Sequence, residues 1–438
     1  MKFLESHELV NKFVRKYVNS ARDKENVVSK VVGALITGTI LLGNSSPNKI
    51  QQSMVTAPSK STFYRNIHRL ASEMPDLYKQ VLTRIQADKR LMMRSDGFLS
   101  LDEHVIPHSS DKMEGVDWFY STTEDRPILG LSAITMHYYR NDVEYPVTFE
   151  FYRRLKELQE QGGEEKFKEK NFIARELLTE VCQLPGAPKV ILMDSFFMTK
   201  ENVTLLKKLG RDYVSRPKKN WKCNIDHKKH SMEEVFESIP VSEFQTIEIV
   251  NPKTGKTRKE RVATKDVFFP KIGMHRVVFI DCTPKDEREE GTDDAEMIET
   301  TTGRKFRLFV TNVLTWDAAT ILTHYAVRWT IETSYRDMSQ DLNLHGCKWR
   351  QLDGQYCFIA LTFACYLFLM WAKIHGLLMG YNDELQTVGQ MKVAFEHYCQ
   401  DRFVHWLAEV KQECKTCPLA NWIHEHVYAK SGQARCIS

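Results

Sequence analysis

Apolar residues fall along this chain in two rhythms. From Phe98 the period is two. Phe98-Leu-Ser-Leu-Asp102, Ile128–Tyr139 and Val143–Phe151 alternate as half-buried strands do, and Arg140-Asn-Asp142 makes a turn between the last two. Lys189-Val-Ile-Leu-Met-Asp194 is a short, nearly continuous apolar run, the pattern of a strand covered on both faces. Around these strands the period lengthens to that of a helix. Helices are predicted at about Glu164–Cys182, at Asn202–Leu209 and over Tyr325–Ser339, with Asp212–Arg216 a further strand. Three antiparallel strands feeding a βαβ unit describe a mixed α/β sheet flanked by helices.

Residues 1–92 read as helical. Val27–Leu42 is apolar and ends at Gly43-Asn-Ser-Ser-Pro47. The stretch 57–70 has the look of the second helix of a helix-turn-helix, with Ser59 or Ser61 as its cap. Lys60, Arg65 and Arg69, together with Asn66 and His68, stand on the side that would meet DNA. Residues 217–310 change texture. Turns such as Asn251-Pro-Lys-Thr-Gly-Lys256 punctuate short strands, and the acidic stretch 286–299 reads as a mobile loop. The domain plan is therefore a helical region at 1–92, a first core segment at 93–216 and a β-rich insertion at 217–310. A second core segment follows at 311–378, then a helical tail at 379–438. The run 356–372 is apolar and at the short limit for a membrane span; its charged surroundings favour a buried core helix.

Composition and charge sharpen this only in part. The 438 residues suffice for several domains, and a net charge of +4 is too mild to prove an anionic partner. The distribution says more. Residues 1–90 carry 15 Lys and Arg against seven Asp and Glu, so the rest of the chain is slightly acidic. A basic amino-terminal region on an acidic body suits contact with nucleic acid. The ten Cys follow no disulfide framework and read as reduced thiols of a cytoplasmic protein. The start of the chain lacks the apolar core of a signal peptide. Cys414, Cys417, His424 and His426 offer zinc-ligand types, but at an unusual spacing.

The chemistry concentrates in three acids. Asp102 and Asp194 are placed at strand ends, where a sheet presents side chains to a crevice. Glu332 lies on the helix predicted over 325–339, with Tyr325, Arg328 and Arg336 on the same face at steps of three and four. Three carboxylates converging there would hold two Mg²⁺ or Mn²⁺ ions for an in-line phosphoryl displacement, with the guanidiniums on phosphate oxygens. Asp96 precedes its strand and Asp281 falls in the insertion, so neither ranks with the three. Trp221, Trp316 and Trp329 are expected to pack in the core.

Leu101-Asp-Glu-His-Val-Ile-Pro-His108 resembles the first-aspartate motif of DDE transposases of prokaryotic insertion sequences, and Ile191-Leu-Met-Asp-Ser195 resembles their second. Tyr325, Arg328 and Glu332 match the Tyr-x2-Arg-x3-Glu part of the signature of the insertion-sequence-four family. The resemblance covers about residues 95–375. It implies an RNase H-like core interrupted by a β insertion, for which the 137 residues between Asp194 and Glu332 leave room. It also implies cut-and-paste transposition: binding of terminal inverted repeats, metal-dependent excision and strand transfer by a homodimer on double-stranded DNA. Tyr325, Arg328, Arg336, Ser339 and His108 would contact that DNA. Two positions depart from the pattern. Ser339 stands where the signature has Lys, with Lys348 or Arg350 as substitutes. His108 stands near a position where members often carry Lys. Two rival functions remain open: a non-catalytic DNA-binding relative, and a structure-specific nuclease that cuts without joining.

Overall fold

The computed structural model describes residues 8–18, 27–43, 46–53, 58–121, 124–218, 220–283, 297–382 and 384–413. The zinc candidates Cys414, Cys417, His424 and His426 lie outside these residues, as does most of the acidic stretch 286–299. The amino-terminal part is helical: α1 (Glu8–Phe13) runs into a π-helical turn at Val14–Val18, followed by α2 (Val27–Leu42), α3 (Pro47–Ser53) and α4 (Lys60–Ile85). Ser59 caps α4, its Oγ accepting from the Thr62 amide at 3.2 Å. The helix runs well past residue 70 because its apolar stripe does. Phe63, Ile67, Leu70, Met74, Tyr78, Val81 and Ile85 follow one another at steps of three and four, and all are buried.

A first group of strands then alternates with helices: β1 (Phe98–Pro107), β2 (Asp117–Ser121), β3 (Arg126–Arg140), β4 (Val143–Tyr152), α5 (Leu155–Glu160), α6 (Lys170–Cys182), β5 (Val190–Met193), α7 (Lys200–Lys208) and β6 (Asp212–Ser215). The β3–β4 turn places Asn141 at φ +52°, a left-handed conformation that Asn tolerates better than most residues. Neighbouring strands lie in the order β4-β3-β1-β5-β6. β3 is antiparallel to β1 and β4, while β1, β5 and β6 are parallel. Every residue of β5 is buried, as a central parallel strand requires. This mixed sheet flanked by helices is consistent with an RNase H-like core.

The segment beyond residue 217 forms β7 (Lys222–Ile225), β8 (Lys228–Ser231), α8 (Met232–Ser238), β9 (Gln245–Val250), β10 (Thr257–Phe269), β11 (Gly273–Asp281), β12 (Ile298–Glu299) and β13 (Lys305–Thr311). Its strands join the core sheet. β13 pairs with β6 at Val310–Ser215 and Thr311–Val214, and β11 and β10 follow outward. The chain ends in helices α9 (Ala318–Val327), α10 (Trp329–Asp341), α11 (Leu352–Ile374) and α12 (Val388–Glu413).

α11 is long and apolar enough to cross a membrane, but Cys357 to Ala372 are all buried, which makes it the central pillar of the core. α1, α2 and α4 pack on it, with Tyr78 of α4 edge-on to Phe363 at 5.8 Å and Phe13 of α1 against Phe368 and Trp371 at 5.5 and 5.6 Å. Asp88 fastens this junction. Its Oδ2 takes Lys16 Nζ at 2.7 Å, the Tyr17 hydroxyl and His375 Nε2 at 3.0 Å; its Oδ1 takes the Arg90 amide. Burial pushes the Asp88 carboxyl up, but the Lys16 and Tyr17 hydrogen bonds outweigh it, and the net pKa lies well below 3.8. A carboxylate with a depressed folded pKa stabilises above its unfolded pKa, and that contribution fades as pH falls. Asp88→Ala is therefore expected to cost about 2–3 kcal/mol at pH 7. The gap from wild type should narrow as pH drops below 3.8, as read from denaturant midpoints.

Candidate active site

β1 positions the first acid. It does not stop at Asp102: pairing with β3 continues through Asp102–Thr135 to Pro107–Gly130, so Asp102 is a mid-strand residue. The expected strand end is thus corrected, and the cause is the long cross-strand partner β3. The crevice position survives because β5 is short. Leu101 pairs with Met193, so the parallel register sets Asp102 beside Asp194, the first residue past β5. Asp194 Oδ1 accepts the amides of Phe196 and Phe197 at 3.0 and 3.1 Å, and Ser215 Oγ bonds its carbonyl. The second carboxylate is fixed from both sides.

The third acid arrives on a broken helix. The sequence predicts one helix over 325–339, without Gly or Pro. The structure has two, α9 and α10, meeting at Arg328. At the break the Arg328 amide bonds Tyr325 O and Ile331 N–H bonds Arg328 O, a tighter i to i+3 pattern. Arg328 is drawn inward there. Its Nη1 donates to Asp102 Oδ2 and its Nη2 to Glu332 Oε1, both at 2.7 Å. One guanidinium therefore joins two of the three acids, and Asp194 adds to the field around it.

The electrostatics follow from burial. Burial pushes the Asp102 carboxyl up to about 6; Arg328 pulls it down and neighbouring Asp194 raises it again. Burial also raises Asp194, against the pull of Arg328. Two donors at this place have no partner among the described residues: Arg328 Nε and the Tyr325 hydroxyl. The Tyr325 ring lies 5.5 Å from the Arg328 guanidinium and 4.7 Å from Phe309. A buried donor without an acceptor is costly, so both atoms keep unused hydrogen-bonding capacity beside the acids.

Three hard oxygen donors suit Mg²⁺ or Mn²⁺ in kind. Among the described residues no three His, Cys, Asp or Glu side chains stand close enough together to share an ion as they are placed. Arg328 supplies positive charge between Asp102 and Glu332 instead.

The remaining expected residues disperse. Arg336 is exposed one turn beyond Glu332. Ser339 Oγ bonds Tyr335 O at 2.7 Å and His345 Nε2 at 2.9 Å. His108 Nε2 has no partner among the described residues, and burial holds its pKa down to about 4, so it is neutral at pH 7. Lys60, Arg65 and Arg69 are exposed on α4, Arg69 in an ion pair with Glu73. His68 turns instead to the Trp349 ring, edge-on at 5.9 Å. Asp96 pairs with Arg140, and Asp281 with Arg261 and Arg304, as bystanders would. Trp221 and Trp316 pack against Phe269 and His324, but Trp329 is 49% exposed, contrary to the core role expected of it.

Sequence reasoning passed over two features. His104 stacks on Tyr335 at 4.0 Å, and the Tyr335 hydroxyl bonds Thr135. The strand period, which puts residue 104 on the Asp102 face, is the signal that could have found it. Lys253, at the tip of the β9–β10 hairpin, reaches Glu144 at 2.8 Å and Thr333 Oγ1 at 3.0 Å, tying the inserted segment to the helix of Glu332.

Comparison with known proteins bears on the same residues. Residues 169–368, which include Asp194 and Glu332, match the family model described as Transposase DDE domain. Residues 33–230, which include Asp102 and Asp194, match the model described as DDE superfamily endonuclease. Both matches support a DDE-superfamily transposase or endonuclease. Enzymes of that superfamily use divalent metals, generally Mg²⁺. No curated protein matches the chain. The NurA nuclease from Sulfolobus solfataricus is a structural match at 9% identity and a TM-score of 0.25, over 64% of this chain and 96% of that one. So low a score carries no argument.

Proposed function

We propose that the chain is a DNA transposase of the insertion-sequence-four type. It would cut its element free at terminal inverted repeats and join the 3′ ends to target DNA. The observation that carries this reading is the meeting of Asp102 and Glu332 on one guanidinium, with Asp194 beside Asp102 in the parallel register. The three carboxylates would hold two divalent cations. Bound there, the cations supply positive charge to the attacking and departing oxygens of an in-line displacement. The chain's own donors do the rest. Arg328 Nε and the Tyr325 hydroxyl hold a phosphate oxygen at the cut, while Arg336, Ser339 and His108 line the approaching strand. The exposed basic face of α4 grips the repeat ends, and the carboxy-terminal helices pair two subunits in a synaptic complex in the prokaryotic cytoplasm.

A nuclease that cuts without joining is the second reading, favoured by the match to the DDE superfamily endonuclease model. Full-length protein incubated with supercoiled plasmid bearing the element's own flanks separates them. The transposase reading expects Mg²⁺-dependent nicks and joined products. Nicks without joining would leave the nuclease, and cleavage undiminished by EDTA would rule out both.

Binding has its own expected result. The affinity of the full chain for duplex ends should fall steeply with salt as phosphate counterions are released. Lys60→Ala with Arg65→Ala should lower the slope of log affinity against log salt by about 2. An unchanged slope, measured by fluorescence anisotropy, would take the α4 face out of the DNA contact.

A further inference from the structure

A hairpin tip is ordinarily the part of a strand pair most open to water. The tip of the β9–β10 hairpin, residues 251–256, folds back on the core instead. Asn251 orders it, its Oδ1 accepting the amides of Lys253 and Thr254 at 2.9 and 3.2 Å. Gly255 closes the turn in the left-handed region, at φ +67°. The turn so fixed sends Lys253 inward, and its side chain is only 23% exposed. An ammonium taken out of water is costly unless it is paired. Here its donors meet Glu144 Oε1 and Oε2 at 2.8 and 3.0 Å and Thr333 Oγ1 at 3.0 Å.

The last of these bonds reaches the helix of Glu332 where that helix is least secured. α10 starts at the break after Arg328 and has no side-chain cap, so its first turn is held by what lies beside it. Thr333 Oγ1 donates to Thr330 O at 3.0 Å, which leaves its lone pairs for Lys253. The linkage therefore takes hold of α10 at residues 330 and 333, on either side of Glu332. The Lys253 charge also reaches Asp337, one turn further along α10. The other end is firm. Glu144 is buried in β4, and the strands of the hairpin pack on α9.

We infer that Lys253 is a positioning residue for Glu332: through Glu144 and Thr333, the inserted hairpin holds the first turn of α10 against the core sheet. The inference rests on reading Glu332 as a cation ligand. A carboxylate held in place meets a cation without first losing conformational freedom, so cation affinity depends on the groups behind the ligand. The inserted segment then does more than extend the sheet. Displacing its hairpin loosens the cation site.

The test uses full-length protein and three variants. Lys253→Met combined with Glu144→Gln removes both charges at similar side-chain length, so no buried charge is stranded. Thr333→Val keeps the ion pair and removes only the acceptor on α10. Lys253→Arg keeps the charge and the reach. Amide hydrogen exchange in EDTA, with neither cation nor DNA present, reads the helix directly. Exchange over residues 331–338 should be about tenfold faster in the double variant and in Thr333→Val, with the other core segments unchanged. Lys253→Arg should exchange as wild type does. In plasmid nicking, the half-saturating Mn²⁺ concentration should rise about tenfold in the first two variants while the maximal rate is kept. Wild-type exchange over residues 331–338 in either of them would overturn the inference. Faster exchange throughout the fold, or a lower maximal rate at unchanged half-saturation, would overturn it as well, since the linkage would then serve only stability. Failure of the cation reading shows separately, as absence of Mn²⁺-dependent nicking by the wild type.

Discussion

Asp102→Asn, Asp194→Asn and Glu332→Gln should each lower strand cleavage by about a thousandfold or more, with duplex binding nearly intact. The size follows from the role: removing a ligand deletes charge stabilisation worth several kcal/mol in the transition state, at about 1.4 kcal/mol per factor of ten. The fold should tolerate all three. Asn and Gln keep the shape, and Asp102 and Asp194 already have pKa values raised by burial, so a neutral group costs little there. Each variant leaves Arg328 at least one carboxylate partner. A plasmid-nicking assay reads the effect. Normal cleavage by any two of the variants would break the assignment, since each lacks one of the three ligands on which cleavage should depend.

Arg328→Ala carries the second large effect, and it acts on two properties. In the absence of metal the guanidinium pairs Asp102 with Glu332, so its loss leaves buried carboxylates uncompensated. Stability in EDTA should fall by about 3–5 kcal/mol, and Mn²⁺ should return much of it. Cleavage should fall about a hundredfold, and Mn²⁺ should not return that. The reason is the unpartnered Nε beside the unpartnered Tyr325 hydroxyl, a donor pair that a phosphate oxygen satisfies and a cation does not. Arg328→Lys should also be impaired in cleavage, because an ammonium cannot reach two carboxylates and a phosphate in a fixed fork. Recovery of near wild-type cleavage by Arg328→Ala at high Mn²⁺ would show that the residue serves the carboxylates alone.

The core sheet was legible in the sequence because its signals are local. Alternation marks β3 and β4, the apolar run marks β5, and Asn141 marks the turn between two strands. Asp194 directly follows β5, where the apolar run ends, for the same reason. Long-range pairing was not legible. Asp102 looked terminal because the apolar alternation stops there, yet ten residues of β3 hold β1 on as far as Pro107. The break at Arg328 has no Gly or Pro to announce it. It arises where one side chain is pulled toward Asp102, 226 positions away in the chain. The strands beyond residue 217 read as β structure, but nothing local tells that β13 closes on β6 and continues the core sheet. The exposure of Trp329 is likewise a property of the break, since it begins the second helix next to Arg328.

Asp102, Asp194 and Glu332 should together hold two divalent cations in one site. Mn²⁺ binding by the full chain, followed by electron paramagnetic resonance of the free ion, tests it without any substrate. The account predicts saturable binding of about two ions per chain in the wild type. It also predicts strong weakening in Asp194→Asn, whose remaining carboxylates are shared with Arg328. Binding of equal strength and number in wild type and Asp194→Asn, or no saturable binding in the wild type, would contradict it.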